Sequence, residues 1–354
     1  MIYREAGQFK TSYAADSAIF PIAQERYALL VLLLLAFIAV PMWGSEYFIG
    51  SILVPFLILS LAALGLNILT GYAGLLSLGS AAFMAVGAFA AYNFMLRVPG
   101  MPLLLAFVLA GLVSAGVGIV FGLPSLRIKG FYLAVATLAA QFFIEWALTK
   151  FGWFSNYSSS GVISAPKMQV FGMAIDTPQM RYLLTLTVVV ALTVAAKNMI
   201  RSSTGRAWMA VRDMDVAAEV IGIPILRTKL LAFAVSSFYC GVAGALWAFI
   251  FLGTVEPQAF DLRRSFEILF MIIIGGMGTV LGSFLGAAFI VLLPILLNVM
   301  AGWLHGAVSS QLLSNLEYMV FGALIMFFLI VEPLGLAQLW RIAKEKLRLW
   351  PFPH

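Results

Sequence analysis

Few side chains in this sequence could carry chemistry. Ser77 and Ser80 lie in a glycine-rich apolar segment, where a serine hydrolase acting within a membrane would place its nucleophile. Such an enzyme also needs a His base at the same depth. The two His residues, His305 and His354, fall outside every long apolar run. A single Cys, Cys240, excludes an internal disulfide framework and a thiolate metal cage. No G-x-x-x-x-G-K-[ST] stretch is present, so the chain has no P-loop for ATP. Ion-driven transporters and pumps normally hold ionisable groups inside the membrane. Here Glu46, Glu145, Glu256, Asp261, Glu267, Glu317 and Glu332 sit mostly at the ends of apolar runs or between them, with Glu145 the deepest. The neutral groups Asn67, Asn93, Gln141 and Asn298 lie within the runs, placed either to bind a polar solute or to bond between helices. The residues point to no catalytic site, no metal and no cofactor.

The elements that position these groups are membrane spans. Of 354 residues, 63% are hydrophobic and 10% charged, against about 45–50% and about 25% in soluble domains. That excludes a soluble enzyme, a disordered chain and a nucleic-acid binder. A helix needs about 20 mostly apolar residues to cross the bilayer. Runs of that kind cover 27–43, 51–69, 74–96, 102–122, 131–150, 181–199, 229–252, 265–281, 284–302 and 316–332. The expected fold is therefore an all-α polytopic membrane protein of about ten transmembrane helices. The breaks at 70–73 and 282–283 carry no charge.

Orientation follows from the Lys and Arg of the short loops. One set of loops and tails holds 15 of the 21, from Arg4, Lys10 and Arg26 through Arg127, Lys129 and the 197–229 segment to Arg341 and Arg348. The other 6 are Arg97, Lys150, Lys167, Arg181, Arg263 and Arg264. The richer set is expected in the cytoplasm, with both termini. The net charge of +6 is thus read as topology. The organisation is a cytoplasmic tail over 1–26, a permease domain over 27–332 with a cytoplasmic loop at 200–228, and a cytoplasmic tail over 333–354. The largest external segment is 151–180, either a docking surface or a tolerated surface loop.

The 31 Gly cluster. Gly65, Gly71, Gly74, Gly79 and Gly87 form one group, and Gly275, Gly276, Gly278, Gly282 and Gly286 another. On a continuous helix, Gly278, Gly282 and Gly286 make a stripe for close packing. Gly275-Gly276 is also suited to unwinding a helix that lines a pathway. Gly71-Tyr72-Ala73-Gly74 parallels Gly275-Gly276-Met277-Gly278, a faint sign of internal duplication.

The loop after 197 reads as two short amphipathic helices. Ser203 or Thr204 caps the first, which runs from about Arg206; Asp213 or Asp215 caps the second, which Gly222 stops. Trp208, Met209, Val211, Val216, Val220 and Ile221 give them an apolar side. Such helices lie flat on the bilayer or enter a groove on a cytoplasmic protein.

Ala217-Ala218 followed by Gly222 resembles the EAA-x3-G loop of ABC-importer permeases, with Val216 where that pattern has Glu. Further stretches agree: Gly65-Leu-Asn67-Ile-Leu-Thr70-Gly71-Tyr-Ala-Gly74-Leu-Leu-Ser77, Gly122-Leu-Pro124 through Thr137, Ser203-Thr204-Gly205-Arg206, Lys229 through Ser236, and Ile274-Gly275-Gly276-Met-Gly278-Thr-Val-Leu-Gly282. From about residue 60 to 300 the sequence resembles the LivM-type permeases of branched-chain (hydrophobic) amino acid ABC importers. Urea-importer permeases are close relatives. The resemblance implies a multi-pass subunit of a bacterial inner membrane. It pairs with a homologous second permease in a heterodimer, with ATP-binding cassette subunits that hydrolyse the ATP, and with a periplasmic substrate-binding protein. It places Arg206, Arg212, Asp213, Asp215, Ala217, Ala218, Glu219 and Gly222 on the ATPase-coupling loop. The expected translocation path holds Asn67, Thr70, Gly71, Ser77, Gly275, Gly276 and Gly278. The solute is a branched-chain or related amino acid; urea or a small aromatic or organic acid, carried by an importer of the same class, and an ion-coupled secondary transporter are the competing readings.

Overall fold

A computed structural model describes residues 11–12, 23–125, 131–158, 162–166, 168–170, 173–303, 319–320, 322–324, 326–328, 330 and 334–349. Arg4, Lys10, Arg127, Lys129, Lys167, His305, Glu317, Glu332, most of the tail over 1–26 and about half of the predicted span 316–332 lie outside them.

In lipid a helix is the one open element that satisfies its own backbone, and the apolar runs form helices throughout. They are α1 (Arg26–Trp43), α2 (Phe48–Tyr72), α3 (Ser80–Arg97), α4 (Leu103–Ser125), α5 (Phe131–Lys150), α6 (Pro178–Arg201), α7 (Ser203–Asp213), α8 (Asp215–Val220), α9 (Ile225–Leu252), α10 (Leu262–Gly275), α11 (Val280–Trp303) and α12 (Gly335–Leu349). Among the described residues, 7 helices are long and apolar enough to cross a membrane: α1, α2, α4, α5, α6, α9 and α11. The expectation of about ten counted two runs of a different kind. The run at 74–96 is α3, 18 residues ending in Arg97, and the run at 265–281 is mostly α10, only 14 residues long.

The bundle is built around α9, which packs on α2, α3 and α4, while α11 joins α2 and α10. Small residues allow this. A side chain at Gly87 of α3 would run into the backbone of Gly241 in α9, and one at Gly244 into the carbonyl of Met84. By contrast α1 lies at the edge, tied to α6 by the Tyr182 hydroxyl donating to the Ala36 carbonyl at 3.1 Å.

Polar side chains show how deep α3 and α10 begin. Gln141 sits at the middle of α5, about 15 Å from either end at 1.5 Å per residue. Its amide Nε2 donates to the Phe260 carbonyl at 2.9 Å, and its Oε1 accepts from Ala82 N at 2.7 Å and from Ser265 Oγ at 3.1 Å. Ala81 N donates to Ser265 Oγ at 2.9 Å, and Leu78 N to Thr137 Oγ1 at 2.9 Å. The first turns of α3 and α10 thus meet part-way along a span, where side chains bond N–H groups that a helix start leaves free. The chain reaches α10 by doubling back. It leaves α9 through Gly253, pairs Thr254–Val255 antiparallel with Ile163–Ser164, and descends through a 3-10 turn at Pro257–Phe260.

Gly87→Leu is expected to lose about 1–3 kcal/mol or more by overpacking, seen as a lower melting temperature of the purified protein in detergent. Gly50→Ala, where a Cβ meets nothing, should leave it unchanged.

Candidate translocation gate and coupling loop

The two glycine clusters meet. The helix α2 ends at Tyr72 and is followed by a connector over 73–79; α10 ends at Gly275 and is followed by a break over 276–279. Gly276 has φ +117, a backbone that side chains other than glycine's rarely adopt, which fixes the helix end there. The second break therefore falls before the uncharged pair Gly282-Ser283, which lies inside α11. Hydropathy does not see a backbone dihedral, so the sequence placed the break late. Both glycine readings apply: the chain unwinds at 276–279, and Gly282 and Gly286 form a packing face. A Cβ on Gly275 would strike the Gly282 carbonyl, and one on Gly286 the Met271 carbonyl.

Asn67 joins the two breaks. Its Nδ2 donates to Thr279 O at 2.7 Å and to Ser283 Oγ at 2.9 Å, and its Oδ1 accepts from Gly278 N at 2.8 Å. The residue is fully buried. Gly71 packs so closely that an added Cβ would clash with Asn67 Oδ1 and Gly278 N. Thr70 Oγ1 donates to Leu75 O at 3.1 Å, and Ser77 Oγ accepts from Gly79 N at 3.3 Å within the connector. The start of α12 lies against the same joint, with Leu334 O 2.6 Å from the position of a Gly276 Cβ.

Arg212, at the end of α7, reaches into this joint. Its Nη1 donates to the Gly71 carbonyl at 2.8 Å, and its stem packs where a Gly74 Cβ would lie 2.8 Å from Cγ. A Gly278 Cβ would stand 3.5 Å from the same Nη1. The guanidinium also pairs with Asp213 at 2.9 Å. The loop is held from a second side by Trp208, fully buried, whose Nε1 donates to Thr228 O at 3.0 Å at the start of α9. Beyond these anchors α8 projects outward. Met214, Val216, Val220 and Ile221 are exposed, Val220 by 83%. Gly222 follows with φ +88 and stops the helix.

The family described as branched-chain amino acid transport system / permease component matches residues 48–329. The chain belongs to that permease family. It is 31% identical over 306 residues to the high-affinity branched-chain amino acid transport permease LivM of Salmonella typhimurium, covering 78% of this chain and 67% of the relative. The Escherichia coli LivM matches to the same degree. A probable LivM of Methanocaldococcus jannaschii is 22% identical over 325 residues, covering 81% and 92%. These relatives are transport subunits rather than enzymes. No solved structure matches.

Within the permease frame, the proposed path residues Asn67, Thr70, Gly71, Gly275, Gly276 and Gly278 come together at the end of the bundle that carries the loop, with Ser77 on the connector. In this state Asn67 spends its amide on protein, as do Gln141 and Asn93, whose Nδ2 donates to Phe89 O at 2.8 Å and Phe154 O at 3.1 Å. Of the residues expected on the coupling loop, Arg206, Asp213, Ala217, Glu219 and Gly222 are exposed and Ala218 is buried. Asp215 faces Lys229 at 3.9 Å. The caps differ from expectation: Ser202 precedes α7 and Met214 precedes α8. The apolar side of the loop divides, with Trp208 and Val211 turned into the bundle and Val216, Val220 and Ile221 turned away. Thr279 and Ser283 were not singled out as site residues from the sequence; their signal was their place inside the second glycine cluster.

Asn67→Ala should strand the Gly278 N–H and the Thr279 carbonyl, costing about 1–3 kcal/mol for each buried unpaired group. Thermal unfolding in detergent checks this, and Thr70→Ser should stay near wild type.

Proposed function

We propose that this chain is the permease subunit of an ATP-driven importer of branched-chain or related amino acids, driven through its α7–α8 loop. One observation carries the reading. The loop presents an unpartnered apolar tip, while Arg212 and Trp208 tie its base to the glycine joint and to α9. A load placed on the tip is thereby delivered to both breaks. The tip suits a groove on an ATP-binding cassette subunit, with small Ala217 and Gly222 allowing close approach and Arg206, Asp213 and Glu219 setting register.

In this reading the 27–332 region is the permease domain, with both tails and the loop in the cytoplasm of a bacterial inner-membrane protein. A homologous second permease completes the path, and a periplasmic binding protein delivers the solute and carries much of the selectivity. The LivM relatives, branched-chain amino acid transport permeases, support the solute class. Hydrolysis of ATP takes place in the partner subunits.

Gly222→Trp is expected to leave membrane insertion intact and to abolish co-purification of the ATPase subunits. Intact assembly and leucine uptake in that variant would contradict the docking assignment. Bulky replacement of Gly275 and Gly276 should stop uptake; unchanged uptake would remove them from the path.

A further inference from the structure

Arg264 and Glu267 form an ion pair at the start of α10, level with the middle of α5. Arg264 Nη1 donates to Glu267 Oε2 at 2.6 Å, and Arg263 Nε stands 3.6 Å from Glu267 Oε1. Both members of the pair lie within a turn of Ser265, whose hydroxyl meets Gln141 at the centre of α5. The sequence placed these charges at the outer end of a span. The inward descent of 253–261 carries them to mid-depth instead. The Arg264 and Glu267 side chains are only 18% and 23% exposed. Ionisable groups at such depth are costly and mark solute pathways.

A second observation points to what the pair meets. The Arg264 guanidinium lies 4.5 Å above the ring of Trp247, which is 4% exposed. The Trp247 Nε1–H is buried without a hydrogen-bond partner. An indole nitrogen can only donate, so beside an arginine this leaves two donor groups with a shared call for an anionic acceptor. Phe251 packs against the same indole with ring centres 4.6 Å apart and planes tilted by 46°, extending the apolar wall.

We propose that Trp247, Arg264 and Glu267 bind the head group of a zwitterionic α-amino acid. The carboxylate accepts from Trp247 Nε1 and Arg264, the ammonium donates to Glu267, and the apolar side chain lies along the Trp247–Phe251 wall. The zwitterion brings no net charge, so one buried pair is exchanged for two matched ones. An organic acid leaves Glu267 only the more exposed Arg263 at 3.6 Å, and urea brings no carboxylate to the donors. The inference rests on the permease reading above.

The test uses the complete importer with its binding protein in vesicles, following L-leucine uptake and ATP hydrolysis together. Trp247→Phe removes the N–H and keeps a ring; Glu267→Gln removes the charge and keeps the shape. Each is expected to lower leucine moved per ATP by about tenfold, the loss of roughly one charge-assisted hydrogen bond, with assembly and hydrolysis at wild-type levels. Leucine per ATP equal to wild type in both variants overturns the site. So does a loss of uptake that only tracks loss of assembled complex or of hydrolysis. A wild-type complex that hydrolyses ATP and imports another solute but no leucine overturns the amino-acid reading itself, and the site with it.

Discussion

Backbone that leaves a helix inside an apolar bundle must be hydrogen-bonded by protein, because lipid offers nothing in its place. The Asn67 amide meets that demand where two interrupted helices come together, serving Gly278 N, Thr279 O and Ser283 Oγ at once. Glycine at 71 and 278 allows the approach, and Arg212 covers the remaining carbonyl of Gly71. A second layer of the same kind lies deeper, where Thr137, Gln141 and Ser265 bond the first turn of α3. Asn67 and Gln141, neutral polar residues of the spans, thus fasten interrupted helices without charge.

The arrangement divides labour along the bundle. At one end the loop grips the joint through Arg212 and α9 through Trp208, and offers an apolar tip. Half-way across, Arg264 and Glu267 stand beside Trp247. α10 runs between the two levels, from the ion pair at its first turns to Gly275 at its end. α10 therefore links the joint and the charged cluster through a single helix. This is consistent with a subunit driven by a partner rather than by ions of its own.

Much of this was legible in the sequence. Apolar runs gave the seven long helices, the glycine clusters marked both breaks, and the polar 197–229 stretch with Gly222 gave the two loop helices to within a few residues. What escaped has physical causes. Gly282-Ser283 was favoured as a break because hydropathy averages over a window, while the actual stop is set by the dihedral of Gly276. The bond from Arg212 to Gly71 was not read from the sequence, because a position on α7 says nothing of which way a long side chain turns. Arg264 and Glu267 were placed in an outer loop or at a helix end because only tertiary contacts, through Gln141 and Phe260, reveal that the start of α10 lies level with the middle of α5. The one local hint was the length of α9, which reaches Leu252 before Gly253 and Pro257 turn the chain.

The central claim is that Arg212 transmits movement of the loop to the joint. The direct test places a cysteine at Met277, exposed within the second break, in a Cys240→Ser background, and follows its rate of thiol labelling in the complete importer with and without ATP and vanadate. The account predicts a nucleotide-dependent change in rate that disappears in Arg212→Ala while ATP is still hydrolysed. The same nucleotide-dependent change persisting in Arg212→Ala would contradict it.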